Sequence, residues 1–211
     1  MYWNVEAYRE TVFRRLNLPI LGSEDVLDIG CGDGGDALWF SGRVNHTVAV
    51  DIVEHPNWCG IRRPGLSFMR ADGESLTLAS QSFDIIFVKD VLHHARCPES
   101  ILAQAIRLCR PTGLVCVVEA NRYHPVSYVH MTRMLGHEHL TRTAFKRLVR
   151  SFSPQARFIQ FETHVYPFKN YWLLGAARCV ENVVSLPLMR AMASYNAAII
   201  KTNPLNGDHS D

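Results

Sequence analysis

Val26-Leu-Asp-Ile-Gly-Cys-Gly-Asp-Gly34 is the stretch whose reading decides the fold. An apolar run of strand length stops in a turn with glycines at 30, 32, 34 and 35, and an acid, Asp28, stands two residues before the first of them. Glycine in such a turn admits positive φ and lets backbone N–H groups come close to a ligand. Gly30, Gly32 and Gly35 also satisfy the G-x-G-x-x-G dinucleotide spacing, with Asp51 near the distance expected for a partner of ribose hydroxyls. The acid separates two readings of the turn. A carboxylate at its mouth repels a pyrophosphate and attracts an ammonium or a sulfonium, strongly where water is scarce.

Working outward, Val5, Tyr8, Val12, Phe13 and Leu16 share one helical face, and Pro19 follows as a stop, so the spacing predicts a helix over 5–16. After strand one (25–29) come a helix at 35–41 and a strand at 46–53 ending on the acid Asp51, the opening of a right-handed parallel unit. Pro56, Gly60, Pro64 and Gly65 make a regular helix unfavourable in the next crossover, which is expected to be mostly loop. Strands three and four are expected at 67–71 and 83–89, the latter with a fully buried IIFV core. Pro98 opens an amphipathic helix that stops at Pro111, and 115–118 form strand five. Beyond these, 141–152 has helical spacing, 157–166 alternates as a sixth strand, and 197–200 suits a seventh.

The phrase VLDIGCGDG followed by AVDI resembles the first two motifs of class I S-adenosylmethionine-dependent methyltransferases, whose cofactor carries both an ammonium and a sulfonium. ADGESLTLASQSFDIIFVKDVLHH, Ala71 to His94, is similar to that family's third and fourth strands, and RPTGLVCVVEA, Arg110 to Ala120, to its fifth. The resemblance covers 26–120 in the family's order. It implies an α/β, doubly wound, mostly parallel seven-stranded sheet closed by a C-terminal antiparallel strand, the Rossmann-like methyltransferase fold. It also implies one methyltransferase domain over 1–204: an N-terminal helix region (1–22), a cofactor-binding core (23–120) and substrate, lid and closing strands (121–204), with a frayed tail at 205–211.

Carried over residue by residue, the resemblance puts Asp28, Gly30, Cys31 and Gly32 around the methionine part of S-adenosyl-L-methionine. Asp51 takes the ribose hydroxyls, Ile52 lies against the adenine, and Asp72 accepts from the adenine amino group beside Gly73. Lys89, grouped with the cofactor-binding residues, is a departure at the end of strand four: a cation near a sulfonium is repelled unless it faces an acidic substrate or points away and snorkels to solvent. Histidine titrates near neutrality, so His94, with His93 second, is the expected base for taking a proton from the acceptor. The product would be S-adenosyl-L-homocysteine.

A second group follows strand five: Glu119, Asn121, Tyr123, His124, His130, His137 and His139. EANRYHP resembles the E-P-N-x-x-x-P stretch of some methyltransferases encoded near glycosyltransferases, with Ala120 in place of the first proline. His137-Glu138-His139 is not the helical H-E-x-x-H pattern and would present both imidazoles on one side only if extended, so no metal is expected. The apolar stretch 171–193 is read as a pair of helices covering the sheet or forming a homodimer face. The other readings are a lid over a lipid-like acceptor and a peripheral membrane contact.

Bulk properties set the limits. With 211 residues, 47% hydrophobic and 20% charged, the chain suits one ordinary domain, and a net charge of +2 gives no case for nucleic acid. The six cysteines form no C-x-x-C pair, the N-terminus has early acids and no apolar h-region, and no apolar run is long enough for a bilayer. Reduced thiols and a cytoplasmic setting are the expectation. The function expected is methyl transfer to a small-molecule oxygen, nitrogen or carbon nucleophile, such as a sugar, a lipid-like molecule or a natural product. The alternatives are a non-catalytic binding protein of the same fold, or a nicotinamide-dependent oxidoreductase, for which the chain leaves little room for a substrate domain.

Overall fold

The computed structural model describes residues 4–122, 124, 139–165, 170–184, 186 and 189–202. Expectations resting on Tyr123, His130, His137, Glu138 and the tail at 205–211 lie outside the described residues. Two compact units emerge: Ile20–Val117 with Leu148–Arg157 and Ala198–Asp211, and Met1–Pro19 with Val118–Arg147 and Phe158–Ala197.

The elements follow in the order α1 (Val5–Leu16), β1 (Asp25–Ile29), α2 (Gly35–Ser41), β2 (His46–Asp51), β3 (Leu66–Arg70), β4 (Phe83–Lys89), α3 (Pro98–Leu108) and β5 (Cys109–Ala120). Then come α4 (Arg142–Phe152), β6 (Arg157–Phe161), α5 (Tyr171–Val184) and β7 (Tyr195–Lys201). The seven strands form one sheet in the order β3-β2-β1-β4-β5-β7-β6. Strand order reverses at β1, where β2 and β4 flank it in parallel register: Ile29 lies opposite Val50 on one side and Val88 on the other. β2 continues the parallel pattern to β3, with Asp51 opposite Arg70.

β7 runs against β5. Thr112 N–H donates to the Thr202 carbonyl (2.8 Å) at one end, and Asn121 N–H to the Ser194 carbonyl (2.7 Å) at the other, so numbers rise along one strand as they fall along its partner. The expected mostly parallel sheet with a terminal antiparallel strand is the one observed.

The central strands are apolar because they are covered on both sides. Val26, Leu27, Ile29, Ile85, Ile86, Phe87 and Val88 are all buried; α2 packs on β1 and β2, and α3 on β4. Several boundaries differ from the sequence reading. β5 begins at Cys109, six residues early, because Thr112 takes a left-handed φ of 70° and still pairs with Thr202, carrying the ladder across Pro111 and Gly113. β6 ends at Phe161, and β7 is longer than expected, starting at Tyr195. The crossover expected as loop holds a 3-10 helix, Pro56–Gly60, opened by the His55 imidazole accepting from Asn57 N–H (3.2 Å). Of the pair of helices expected in 171–193, α5 is regular, and the second is a single 3-10 turn, Arg190–Met192.

Candidate cofactor site

Parallel strands all point their carboxyl ends the same way, so the loops after β1, β2, β3 and β4 gather at one edge, beside the strand that reverses the order. A cavity of about 390 Å³ opens there. Its wall includes Gly30, Asp51, Ile52, Asp72, Gly73 and His94, together with Glu74, Asp90, Val91 and Arg96.

The glycine turn is held down by the sheet. Gly30 and Cys31 N–H both donate to the Val50 carbonyl (2.7 and 3.0 Å), folding the chain over the end of β2. Gly30 has φ +76°, and a Cβ there would overlap Val91 Cγ2, so the position requires glycine twice over. Asp51, at the tip of β2, takes the Gly32 N–H on Oδ2 (2.9 Å) and the Val53 N–H on Oδ1 (3.0 Å). Each carboxylate oxygen has a second lone-pair site beyond these bonds.

The next wall is the loop after β3. Asp72 Oδ1 accepts from Glu74 N–H (2.9 Å), and Arg96 reaches back from beyond β4 to Asp72 Oδ2 (3.2 Å). Glu74 Oε1 takes the Arg96 backbone N–H (2.8 Å), tying the two loops together. A Cβ on Gly73 would press on Ile29 Cγ2 (2.9 Å) and Ile101 Cδ1 (3.0 Å), so a side chain there would push into the cavity floor. His94 closes the third wall in a turn whose N–H returns to the Val91 carbonyl (2.9 Å).

Five of the expected residues are not among those lining the cavity. Asp28, 2% exposed, is inside β1. Cys31 packs with Ala37, Ala49 and Trp58; burial first, then the Asp28 and Asp51 carboxylates, push its thiol far above the ordinary range. Gly32 gives its N–H to Asp51 and its carbonyl to the Trp58 indole N–H (2.9 Å). Lys89 neither lines the cavity nor snorkels: at 17% side-chain exposure its ammonium pairs with Asp36 (3.0 Å) and lies 3.7 Å from Asp90. His93 sits against His94 with ring centroids 4.0 Å apart.

Sequence reasoning passed over Trp58, whose ring stacks on Phe68 (5.1 Å, 15°) while its N–H braces the turn. It also passed over the Asp72–Arg96–Glu74 bridge. A lone tryptophan in a Pro/Gly-rich crossover was the available signal for the first.

Residues 27–117 match the family model described as "Methyltransferase domain". Over this stretch the chain is similar to a methyltransferase domain. The phthiotriol/phenolphthiotriol dimycocerosates methyltransferase of Mycobacterium tuberculosis is 33% identical to the chain over 100 residues, which cover 44% of this chain and 36% of that protein. The chain therefore spans about a third of that curated relative. The chain also superposes on a SAM-dependent methyltransferase from Archaeoglobus fulgidus (TM-score 0.64, 15% identity, 92% of this chain and 94% of that one). A third likeness is the Burkholderia thailandensis 1,6-didemethyltoxoflavin-N1-methyltransferase with bound 1,6-didemethyltoxoflavin and S-adenosylhomocysteine (TM-score 0.61, 18% identity, covering 96% and 80%). The fold is the Rossmann-like methyltransferase fold.

In the second unit, the loop after β5 carries Asn121, whose side chain donates to the Ala191 and Ala193 carbonyls (3.0 and 2.8 Å), and His124, whose N–H returns to the Asn121 carbonyl (3.1 Å). His124 meets Glu162 and His164 from the segment after β6. Burial works against the Glu162 carboxylate, but the His124 hydrogen bond and both imidazoles outweigh it and hold the group below its ordinary range. Burial pushes the His164 imidazole down to about 4 despite the attraction of Glu162.

Proposed function

We propose that the chain is an S-adenosylmethionine-dependent methyltransferase acting on a small-molecule acceptor. The observation that carries this reading is the sign of the cavity: Asp51, Asp72, Glu74 and Asp90 line it against one guanidinium, Arg96. A dinucleotide would set its pyrophosphate among four carboxylates, whereas a ligand with a sulfonium and an ammonium gains from them. The close approaches at Gly30 and Gly73 supply the backbone-walled cradle that an adenosyl group needs. When bound, S-adenosylmethionine supplies a methyl group on a cationic sulfur.

The residues divide the work as follows. Asp51 receives the ribose hydroxyls on its remaining lone pairs, Ile52, 58% exposed, lies against the adenine, and Asp72 accepts from the adenine amino group beside Gly73. Asp28, Cys31 and Gly32 shape the turn around the methionine part from behind, and Gly30 does so from the wall. Lys89 contributes indirectly: Asp36 neutralises its ammonium, so no bare cation stands beside the sulfonium. His94 takes the proton from the acceptor as the methyl moves, and His93 packs against it.

The acceptor is lipid-like. α5 leaves Tyr171, Trp172, Leu173, Val180 and Val183 exposed, an apolar face of the kind that holds an acyl chain or rests on a lipid surface. The mycobacterial relative is named for a lipid substrate, which agrees with this class. No described helix is long and apolar enough to cross a membrane. Six free cysteines suit a reducing, cytoplasmic setting.

The test is formation of S-adenosylhomocysteine from S-adenosylmethionine over a panel of hydroxylated lipids, sugars and aromatic phenols. Turnover with a lipid member supports the reading. Tight cofactor binding with no turnover on any member would favour the non-catalytic alternative. Flotation with phosphatidylglycerol vesicles, lost in Trp172→Ser/Leu173→Ser, tests the role of α5.

A further inference from the structure

We propose that His124, Glu162 and His164 form a three-ligand site for a divalent transition-metal ion of the zinc class. Glu162 and His164 follow β6 at i and i+2, the spacing that puts two side chains on one side of an extended chain. His124 joins them from the loop after β5, 38 residues before Glu162.

The three donor atoms make a nearly equilateral triangle. Glu162 Oε1 lies 3.4 Å from His124 Nε2 and 3.2 Å from His164 Nε2, and the two nitrogens are 3.3 Å apart. Four ligands at about 2.0–2.1 Å from a tetrahedral zinc are separated by about 3.3–3.4 Å, the bond length times the tetrahedral factor. Neighbouring ligands of an octahedral magnesium at similar bond length would be closer, about 2.9 Å. The triangle therefore matches one face of a tetrahedron, and the fourth position is left for water or another donor. Two imidazoles and one carboxylate select zinc, cobalt, nickel or copper over magnesium and calcium.

The surroundings are those of a built site. The side chains of His124 and Glu162 are 6% and 2% exposed, and that of His164 is 19% exposed. Ser194 N–H holds the other carboxylate oxygen, Glu162 Oε2, at 2.8 Å, which fixes the orientation in which Oε1 faces both imidazoles. Thr163 N–H on Ser194 Oγ (3.0 Å) and His164 N–H on Glu181 Oε1 (3.1 Å) fix the backbone that carries the ligands. An ion here ties the chain after β5 to the chain after β6, so its binding adds to stability.

The experiment uses the full chain stripped with a chelator and titrated with zinc and with cobalt(II). We expect one equivalent bound per chain, visible absorption bands of low-coordinate cobalt, and a higher melting temperature with zinc. His124→Ala, His164→Ala and Glu162→Gln should each weaken binding at least about 100-fold, more than loss of an outer partner would. Because these substitutions fall on buried groups that also support the fold, nitrogen-15 spectra of the wild type supply a second readout: of the ten histidines, His124 and His164 should be the pair that shifts. A wild-type chain that takes up no stoichiometric metal, or one whose metal perturbs other histidines and survives all three substitutions, overturns the proposal in favour of a hydrogen-bonded triad alone.

Discussion

Replacing Asp51 by alanine removes a carboxylate with one duty seen in the turn and a second proposed in cofactor binding. In the free protein its oxygens hold the Gly32 and Val53 N–H groups, both at exposed positions where water takes over when the carboxylate goes. In the proposed complex its remaining lone pairs hold the two ribose hydroxyls. A hydrogen bond to a charged partner contributes about 1.5–3 kcal/mol, and part of the pair's total returns as hydration, so the lower end for two bonds, about 3 kcal/mol, is the expected loss. That is a weakening of roughly 150-fold in Kd for S-adenosylhomocysteine. A general disturbance of the turn could give the same number, so the assay is a double cycle by calorimetry: wild type and Asp51→Ala, each with S-adenosylhomocysteine and with its 2′,3′-dideoxy counterpart. If Asp51 grips the diol, deleting the hydroxyls costs the wild type about 3 kcal/mol and the variant almost nothing. Equal penalties in both proteins would refute the ribose assignment.

Three other outcomes follow from the same geometry. Gly30→Ala should lose about 1–3 kcal/mol of stability, from the positive φ and the overlap with Val91, and should bind S-adenosylhomocysteine poorly; urea unfolding and calorimetry read the two effects. His94→Gln should lower kcat by about 100-fold or more while cofactor affinity stays close to wild type, as stopped assays with separate binding titrations would report. Arg110, whose guanidinium joins Asp25 (2.9 Å) and Asp84 (2.6 Å), gives a pH signature. Burial raises the Asp25 pKa, but hydrogen bonds from Asn45 and Arg110 outweigh it and hold the group below 3.8. The folded state thus binds fewer protons than the unfolded one, and the pair stabilises above about pH 3.8 and loses its contribution as pH falls through the folded value. Arg110→Met should therefore be less stable than wild type at neutral pH, by under about 1 kcal/mol for so exposed a guanidinium, with the gap closing in acid.

The fold was legible where a local pattern coincided with a buried element. Val26, Leu27, Ile29 and Ile85–Val88 are apolar because neighbours cover both faces, and the glycines at 30 and 32 sit at φ +76° and +51°, conformations that side chains resist. Boundaries were misread where long-range bonds decide. Pro111 and Gly113 signal a turn locally, yet Thr112 and Thr202 pair across 90 residues and keep β5 going. That Asp51, Asp72 and His94 meet at one cavity was readable because strand ends converge in any parallel sheet. Cys31 and Lys89 were not: which way Cys31 turns depends on Trp58, and the Lys89 charge depends on Asp36 from another element. The expectation of no metal looked at His137 and His139, neighbours in sequence. His124 and His164 are separated by 40 residues, and only the end of β6 beside the loop after β5 brings them to 3.3 Å.

The acidic cavity at the carboxyl edge of β1 and β2 is proposed to seat an adenosyl-sulfur compound. Calorimetric titration of the full chain with S-adenosylhomocysteine, and separately with NAD, decides whether it does. One equivalent of S-adenosylhomocysteine bound, with no heat from NAD, is the predicted result. Saturable NAD binding, or no S-adenosylhomocysteine binding at millimolar excess, would contradict it.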